Sequence, residues 1–161
     1  MNHAPFVVLR RTEWLALLLL GLMAGFFFSF AVDVAPAMAS LDAATYIAAQ
    51  QSINRVVRNA VFGGVYFGSA LLPWLAAGAA LWAGWQRRAL RWALIALVYG
   101  AAVFWLTRSV NVPINDALAA WDPQHPPADW QAARGRWNEA NLVRAWASAA
   151  CFAAAAWTRS G

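Results

Sequence analysis

Apolar residues dominate four stretches of the chain, and polar residues collect between them. The four predicted membrane spans cover residues 13–35, 59–86, 90–108 and 138–158. Each reaches or approaches the roughly 20 residues with which a helix crosses a bilayer. Tryptophan residues stand near many span ends, where aromatic side chains anchor helices at the interface. The pattern predicts an all-α fold, a four-helix transmembrane bundle forming a single domain over residues 1–161.

The two outer connections, residues 36–58 and 109–137, also carry helical patterns. No glycine or proline occurs within residues 41–62, so the second span is expected to continue outward as one long helix. Pro126 and Pro127 suit the start of a helix, and a helix-prone sequence leads from them into the fourth span. The second and fourth helices are therefore predicted to extend beyond the outer membrane face.

Composition supports the membrane assignment and narrows the chemistry. Hydrophobic residues make up 62% of the chain and charged residues 12%, against roughly 25% charged residues in soluble domains. All twelve basic residues are arginines, and they form no basic run with interleaved polar residues, so nucleic-acid binding is excluded. One cysteine and two histidines cannot supply a disulfide relay, a bis-histidine haem or a protein-only zinc site. We therefore predict no metal site and no cofactor.

The distribution of charge predicts the orientation. The side that holds both termini carries six arginines against one glutamate, and the other side carries six arginines against six acidic residues. By the positive-inside rule both termini are expected in the cytoplasm, with the protein in a bacterial inner membrane. An alternative is a cleavable signal peptide, since Arg10-Arg11, an apolar run and Ala37-Met38-Ala39 follow in order. The apolar run of about 19 residues is longer than the 7–15 usual for such a peptide.

Arg144 is the deepest predicted charge. Only 13 residues, Ala145–Trp157, follow it in the last span, and these cover about 20 Å of a core roughly 30 Å thick. The guanidinium must then lie within the hydrocarbon, where an unpaired charge is costly. Asp33, near the outer end of the first span, is its preferred predicted partner, and Asp116 is the second choice.

Several amides are expected at the same depth as this pair. They predict an outward-facing polar pocket, because helix packing alone rarely needs so many amides beside a buried charge. The stretch from Arg108 to Asp116, which contains Pro113, is expected to end the third span and form the floor of the pocket. The predicted site residues are Asp33, Asp116, Asn141 and Arg144 as catalytic candidates, and Tyr46, Gln50, Asn54, Arg58, Arg108, Asn111, Asn115 and Trp137 as substrate-binding candidates.

Five motifs occur in an order typical of one membrane family. They are Phe28-Ser-Phe-Ala-Val-Asp-Val-Ala-Pro36, Gln51-Ser-Ile-Asn54, Arg58-Asn-Ala-Val-Phe62, Asn111-Val-Pro-Ile-Asn115 and Trp137-x-x-x-Asn141-x-x-Arg144. Together they resemble the four-helix membrane family that includes the fungal anthrone oxygenases and many bacterial proteins. The chain departs from the family pattern in the last motif, where Ala140 stands in place of a common tryptophan.

The resemblance implies an oxygenase-type activity on a polycyclic aromatic substrate such as an anthrone or a quinol. An anthrone carries an acidic methylene activated by a carbonyl, and its enolate reacts with O₂ without a metal or flavin. Such a site needs a base, donors to the oxyanion and an aromatic wall. Asp33 or Asp116 is the candidate base, and Asp116 is preferred if Asp33 pairs with Arg144, because pairing lowers the pKa of a carboxyl.

A non-enzymatic binding function is an alternative interpretation of the same sequence pattern. The same pocket could hold a membrane lipid, a small hydrophobic molecule or a partner protein without any reaction. An ion transporter is disfavoured, because Asp33 and Glu13 both lie near span ends rather than at mid-membrane. The oligomeric state is not indicated by any pattern in the sequence.

Overall fold

Every regular element in the computed structural model of the protein is helical. The structure describes the backbone of residues 3–160 and the side chains of residues 3–159, and no strand occurs within that part of the chain. The outermost residues of the predicted domain, Met1, Asn2 and Gly161, lie outside the described residues. The helices are α1 (Ala4–Ala39), α2 (Ala43–Val57), α3 (Ala60–Trp82), α4 (Gln86–Ala119) and α5 (Trp130–Ser160).

Three of the helices, α1, α3 and α4, are long and apolar enough to cross a membrane. Helix α5 is also long, but it carries several charged residues along its first half. The prediction of an all-helical membrane protein is confirmed at this level. That α5 is a fourth span is not decided by its composition.

The long helices α1, α3, α4 and α5 pack against one another around an interior. Helix α1 contacts α3 and α5, and α4 contacts the same two helices. Small and aromatic residues fill that interior, including Ala16, Phe27, Trp92 and Tyr99. Large apolar side chains cover the outside, as on a surface that faces lipid. We call the end with both chain termini the terminal end, and the opposite end the loop end.

The loop end carries a second, smaller core. Helix α2 lies over it and packs against the last turns of α4. Met38, Tyr46, Ile47 and Leu118 form the buried centre of this core. The prediction that this connection is helical is confirmed, while its height above a membrane stays a prediction.

One continuous helix through residues 41–62 was the wrong expectation. The chain leaves helical geometry at Arg58, whose ψ is 58°, and Asn59 then caps α3 by accepting a hydrogen bond from the Phe62 amide at 2.9 Å. Asparagine side chains compete well for such amides, which favours a new helix start over continuation. α2 and α3 are therefore separate helices with a break between them.

Pro113 does not end the third long helix, contrary to the prediction. The preceding turn, Thr107–Asn111, is π-helical, and the Val112 amide donates to the carbonyl of Thr107 five residues back. The wider turn accommodates the proline ring and its missing amide, so α4 continues to Ala119. Further π-helical turns occur at Gly100–Trp105 in α4 and at Phe30–Val34 in α1.

A buried ion pair joins three helices at the terminal end. Glu13 of α1 is 1% exposed and accepts hydrogen bonds from Arg88 Nε at 2.6 Å and Arg88 Nη2 at 3.0 Å. The indole of Trp92 donates to the same carboxylate at 2.8 Å. Arg88 also donates to the backbone carbonyl of Arg159 at 3.2 Å, which ties in the end of α5. The sequence pattern did not single out this network.

Candidate functional site

Arg144 is buried in the bundle without a carboxylate partner. Its side chain donates to Thr107 Oγ1 at 3.1 Å and to Asn141 Oδ1 at 2.9 Å. The guanidinium carbon lies 4.6 Å from the centre of the Phe27 ring and 5.3 Å from that of Trp137. Within the described residues no acidic side chain forms an ion pair with it. Neutral oxygens and two ring faces therefore surround this cation.

The predicted pair between Arg144 and Asp33 is wrong. Asp33 lies in the π-helical turn of α1, is exposed, and forms no ion pair with a described residue. Asp116, the second choice, pairs instead with Arg58 at 2.7 Å on the exposed surface of the loop end. Arg144 is buried, as predicted, but the depth argument overlooked that amide, hydroxyl and aromatic groups can surround a guanidinium.

Five of the predicted site residues belong to one connected network. Asn141 binds Arg144 directly. Asn111 donates to the backbone carbonyl of Trp137 at 3.1 Å, and the indole of Trp137 donates to Asn115 at 2.8 Å. The π-helical turn of α4 supplies Thr107 and Asn111, and π-helical turns occur frequently at functional sites.

Several buried polar atoms in this region have no hydrogen-bond partner among the described residues. They include Nε of Arg144, Oδ1 of Asn111 and Oγ of Ser148, which stands one turn beyond Arg144 on α5. Buried polar groups are normally paired, because each unpaired group costs about 1–3 kcal/mol. One hydrogen-bond donor and two possible acceptors are thus buried without making a hydrogen bond within the described fold.

An apolar groove is lined by aromatic residues that contact the rings enclosing Arg144. Its volume is about 990 Å³, and it lies between α1 and the residues around the break that separates α2 from α3. Phe26, Phe30 and Phe62 form its aromatic wall. Phe30 packs on Trp137 with ring centres 4.9 Å apart, and Phe62 stacks on Tyr66 at 5.8 Å. The groove wall is therefore linked to the buried cation through two rings in succession, Phe30 and Trp137.

The remaining predicted site residues lie elsewhere. Tyr46 is in the small core of the loop end, where its ring packs on Trp130 at 5.4 Å and Arg134 lies over it. Burial raises the pKa of the Tyr46 hydroxyl, and the nearby charge of Arg134 opposes this rise. Gln50 donates to Asn54 at 3.2 Å on α2, and both side chains are buried. Arg108 is exposed and forms no ion pair with a described residue.

Sequence reasoning missed the side chains that complete the site. Thr107, Phe27 and Phe62 were not among the predicted site residues. One signal could have identified Thr107, which stands one turn before the predicted site residue Asn111 on the same helix. Which of many phenylalanines faces the arginine depends on helix rotation and could not be read from spacing.

Comparison with known proteins shows to which family the chain belongs. The family model described as anthrone oxygenase matches residues 57–154, which is more than half of the chain. The chain belongs to the anthrone oxygenase family. No curated protein and no solved structure matches it.

The match to the anthrone oxygenase family includes the surroundings of Arg144 but only part of the apolar groove. Arg144 and its hydrogen-bonding partners all lie within the matched residues, as does Phe62 of the groove. Asp33 and the α1 wall of the groove lie before the matched segment. The earlier resemblance to this family is confirmed.

Proposed function

We propose that this protein is a membrane-embedded oxygenase that uses O₂ on a polycyclic aromatic substrate of anthrone or quinol type. One observation carries the proposal: a buried arginine without a carboxylate partner stands behind the aromatic wall of a large apolar groove. Membership of the anthrone oxygenase family supports the same reaction class. The groove of about 990 Å³ lies within the roughly 300–1,000 Å³ typical of small-molecule sites.

The groove is the proposed substrate site. Flat aromatic rings stack favourably on other rings, and Phe26, Phe30 and Phe62 present such faces. Because the groove opens between helices, a substrate dissolved in the lipid could enter without crossing water. The layer formed by Trp137, Tyr66 and Phe27 would shift to bring the substrate carbonyl to Arg144.

Arg144 is the proposed oxyanion donor. When the substrate methylene loses a proton, negative charge develops on its carbonyl oxygen. A preorganised cation in a low-dielectric interior stabilises that charge strongly. Thr107 and Asn141 hold the two terminal nitrogens of the guanidinium, and Nε, which has no partner among the described residues, is the proposed donor for the substrate oxygen.

Asp33 becomes the better candidate base. It has no ion pair with a described residue, and its chain neighbour Val34 lines the groove. Asp116 is held by Arg58 at 2.7 Å. In the proposed reaction the base removes one methylene proton and the enolate carbon bonds to O₂. The methylene carbon finally loses two hydrogens and gains one oxygen atom, and the second oxygen leaves as water.

The bundle is proposed to span the membrane with four helices, α5 being the fourth. Both termini would face the cytoplasm of a bacterial cell, because the terminal end carries the excess of arginine. Reporter fusions at residue 161 and near Gln124 test this orientation. A reporter at the C-terminus that is active only outside the cytoplasm would refute it.

Oxygen uptake with anthrone tests the function. The purified protein in mild detergent should raise O₂ uptake above the spontaneous rate, with anthraquinone as product. Arg144→Met should reduce the enzymatic rate about 100-fold or more, as expected for loss of an oxyanion donor. Arg136→Gln, an exposed arginine on the same helix, is the matched control and should retain the rate.

The non-enzymatic reading makes a different prediction for the same preparation. A binding protein would leave O₂ uptake at the spontaneous rate with every anthrone and quinol, and would retain a lipid or other hydrophobic molecule after purification. That result, with a correctly folded protein, would refute the oxygenase proposal. Mass spectrometry of the detergent complex identifies the retained molecule.

A further inference from the structure

The terminal end of the bundle carries a basic depression that the proposed oxygenase site does not use. A tight turn joins α3 to α4 through Gly84, whose φ of +82° suits glycine. The turn delivers Arg87, Arg88 and Arg91 to the first turns of α4. Together with Trp85 and Gln86 they line a depression of about 560 Å³.

Two of these arginines have no acidic partner. Arg88 is committed to Glu13, which is the only acidic residue in the sequence segments that form this end. Arg87 and Arg91 form no ion pair with any residue that the structure describes. Arg91 lies over the Trp157 ring at 4.8 Å, which holds its guanidinium beside α5. The depression therefore presents two uncompensated positive charges.

Arg91 also lines a second, apolar groove that continues from the depression. This groove has a volume of about 300 Å³ and lies between α4 and α5, where Leu94, Val98 and Ala154 line it. Val98 is seven residues beyond Arg91, so the groove extends about 10 Å toward the middle of the helices. The basic depression and the apolar groove thus meet at the side chain of Arg91.

We propose that an anionic phospholipid binds here, with its phosphate at Arg87 and Arg91 and an acyl chain in the groove between α4 and α5. Basic pockets between helices on the cytoplasmic side bind such headgroups, and charge-assisted hydrogen bonds from arginine suit a phosphate. Free phosphate would leave the apolar groove unused. A zwitterionic lipid brings its own cation, which the two arginines repel.

Thermal unfolding in mild detergent with added lipid tests the proposal. Phosphatidylglycerol should raise the unfolding temperature in a saturable way, while phosphatidylcholine, glycerol 3-phosphate and inorganic phosphate should raise it much less. Arg87→Gln/Arg91→Gln should lower the apparent affinity for phosphatidylglycerol by about fivefold per arginine removed. Arg55→Gln/Arg136→Gln removes two exposed arginines from the loop end and should leave the affinity unchanged.

Other outcomes overturn the proposal. Equal stabilisation by phosphatidylcholine would show that charge is not recognised, and equal stabilisation by glycerol 3-phosphate would show that no chain is bound. Unchanged affinity in Arg87→Gln/Arg91→Gln would remove the site from α4. If that double variant folds poorly, Arg87→Gln alone changes only an exposed side chain and should still lower the affinity about fivefold.

Discussion

The two ends of the bundle treat a buried charge in opposite ways. At the terminal end, Glu13 is fully compensated by Arg88 and Trp92, which fill both carboxylate oxygens with hydrogen bonds of 2.6–3.0 Å. Toward the loop end, Arg144 has neutral oxygens and ring faces around it, and its Nε has no partner in the part of the chain that the structure describes. Both side chains are at most 4% exposed.

From this difference we infer that Glu13 has a structural role and that Arg144 has a chemical role. A buried pair that is complete holds helices together, and its partners are positioned by the fold for each other. A buried cation that lacks a counter-ion raises the free energy of the folded protein and can stabilise an anion that arrives later. We therefore expect damage at Glu13 to reduce stability, and damage at Arg144 to reduce activity.

Breaking the Glu13 pair should have the largest effect on stability. Glu13→Leu leaves the Arg88 guanidinium without its counter-ion and should lower the free energy of unfolding by about 3–5 kcal/mol. Glu13→Leu/Arg88→Leu should be more stable than Glu13→Leu alone, since no buried charge is then left unpaired. Reversible denaturant unfolding in detergent measures all three proteins. Additive losses would show that the two side chains act independently.

Arg144→Met should cost less stability, at most about 2 kcal/mol, because it removes an uncompensated charge while leaving Asn141 without a hydrogen-bond donor. The same unfolding experiment measures it against Glu13→Leu. A loss as large as that of Glu13→Leu would contradict the comparison, since Arg144 would then be as structural as the ion pair.

The ring that covers Arg144 should contribute a smaller amount. Trp137→Phe keeps an aromatic face near the guanidinium but removes the donor that binds Asn115 at 2.8 Å. Loss of this hydrogen bond should reduce the free energy of unfolding by about 1 kcal/mol. Asn115→Ala is the matched partner, and the double variant should lose little more than either single one. Full additivity would mean that the bond contributes nothing.

Asp33→Asn should have the smallest effect on stability, within about 0.5 kcal/mol, because the side chain is exposed and has no ion pair. If Asp33 is the base, the same variant should lose most of its O₂ uptake with anthrone. A stability loss above 2 kcal/mol that Arg144→Met relieves would restore the pair between these two residues and refute the geometry described above.

The burial of Arg144 could be predicted from sequence, but not all of its partners could. Counting 13 residues after Arg144 places it within the predicted span, because the helical rise per residue is constant. Asn141 followed from its position one turn before Arg144. Thr107 and Phe27 depend on how α1, α4 and α5 rotate against one another, and spacing along one helix does not determine that rotation.

The ends of the helices, like the partners of Arg144, could be predicted from the sequence only in part. The composition of α2 was sufficient to predict a helix, but the break at Arg58 and Asn59 depends on a competition between side-chain capping and continued backbone bonding. Pro113 was expected to end α4, and the preceding π-helical turn removes the conflict. Such turns have no clear sequence signal, since they are stabilised by neighbouring helices rather than by local propensity.

The sequence by itself determined the helical class, the membrane-like composition, the family motifs and the presence of a charge deep in the last helix. These follow from local periodicity, length and residue type, which every part of the chain carries independently. Only the tertiary structure decided that Glu13 rather than Arg144 has a charged partner and that an aromatic groove adjoins the rings around the arginine. Burial and pairing are properties of side chains from different helices, and packing brings them together.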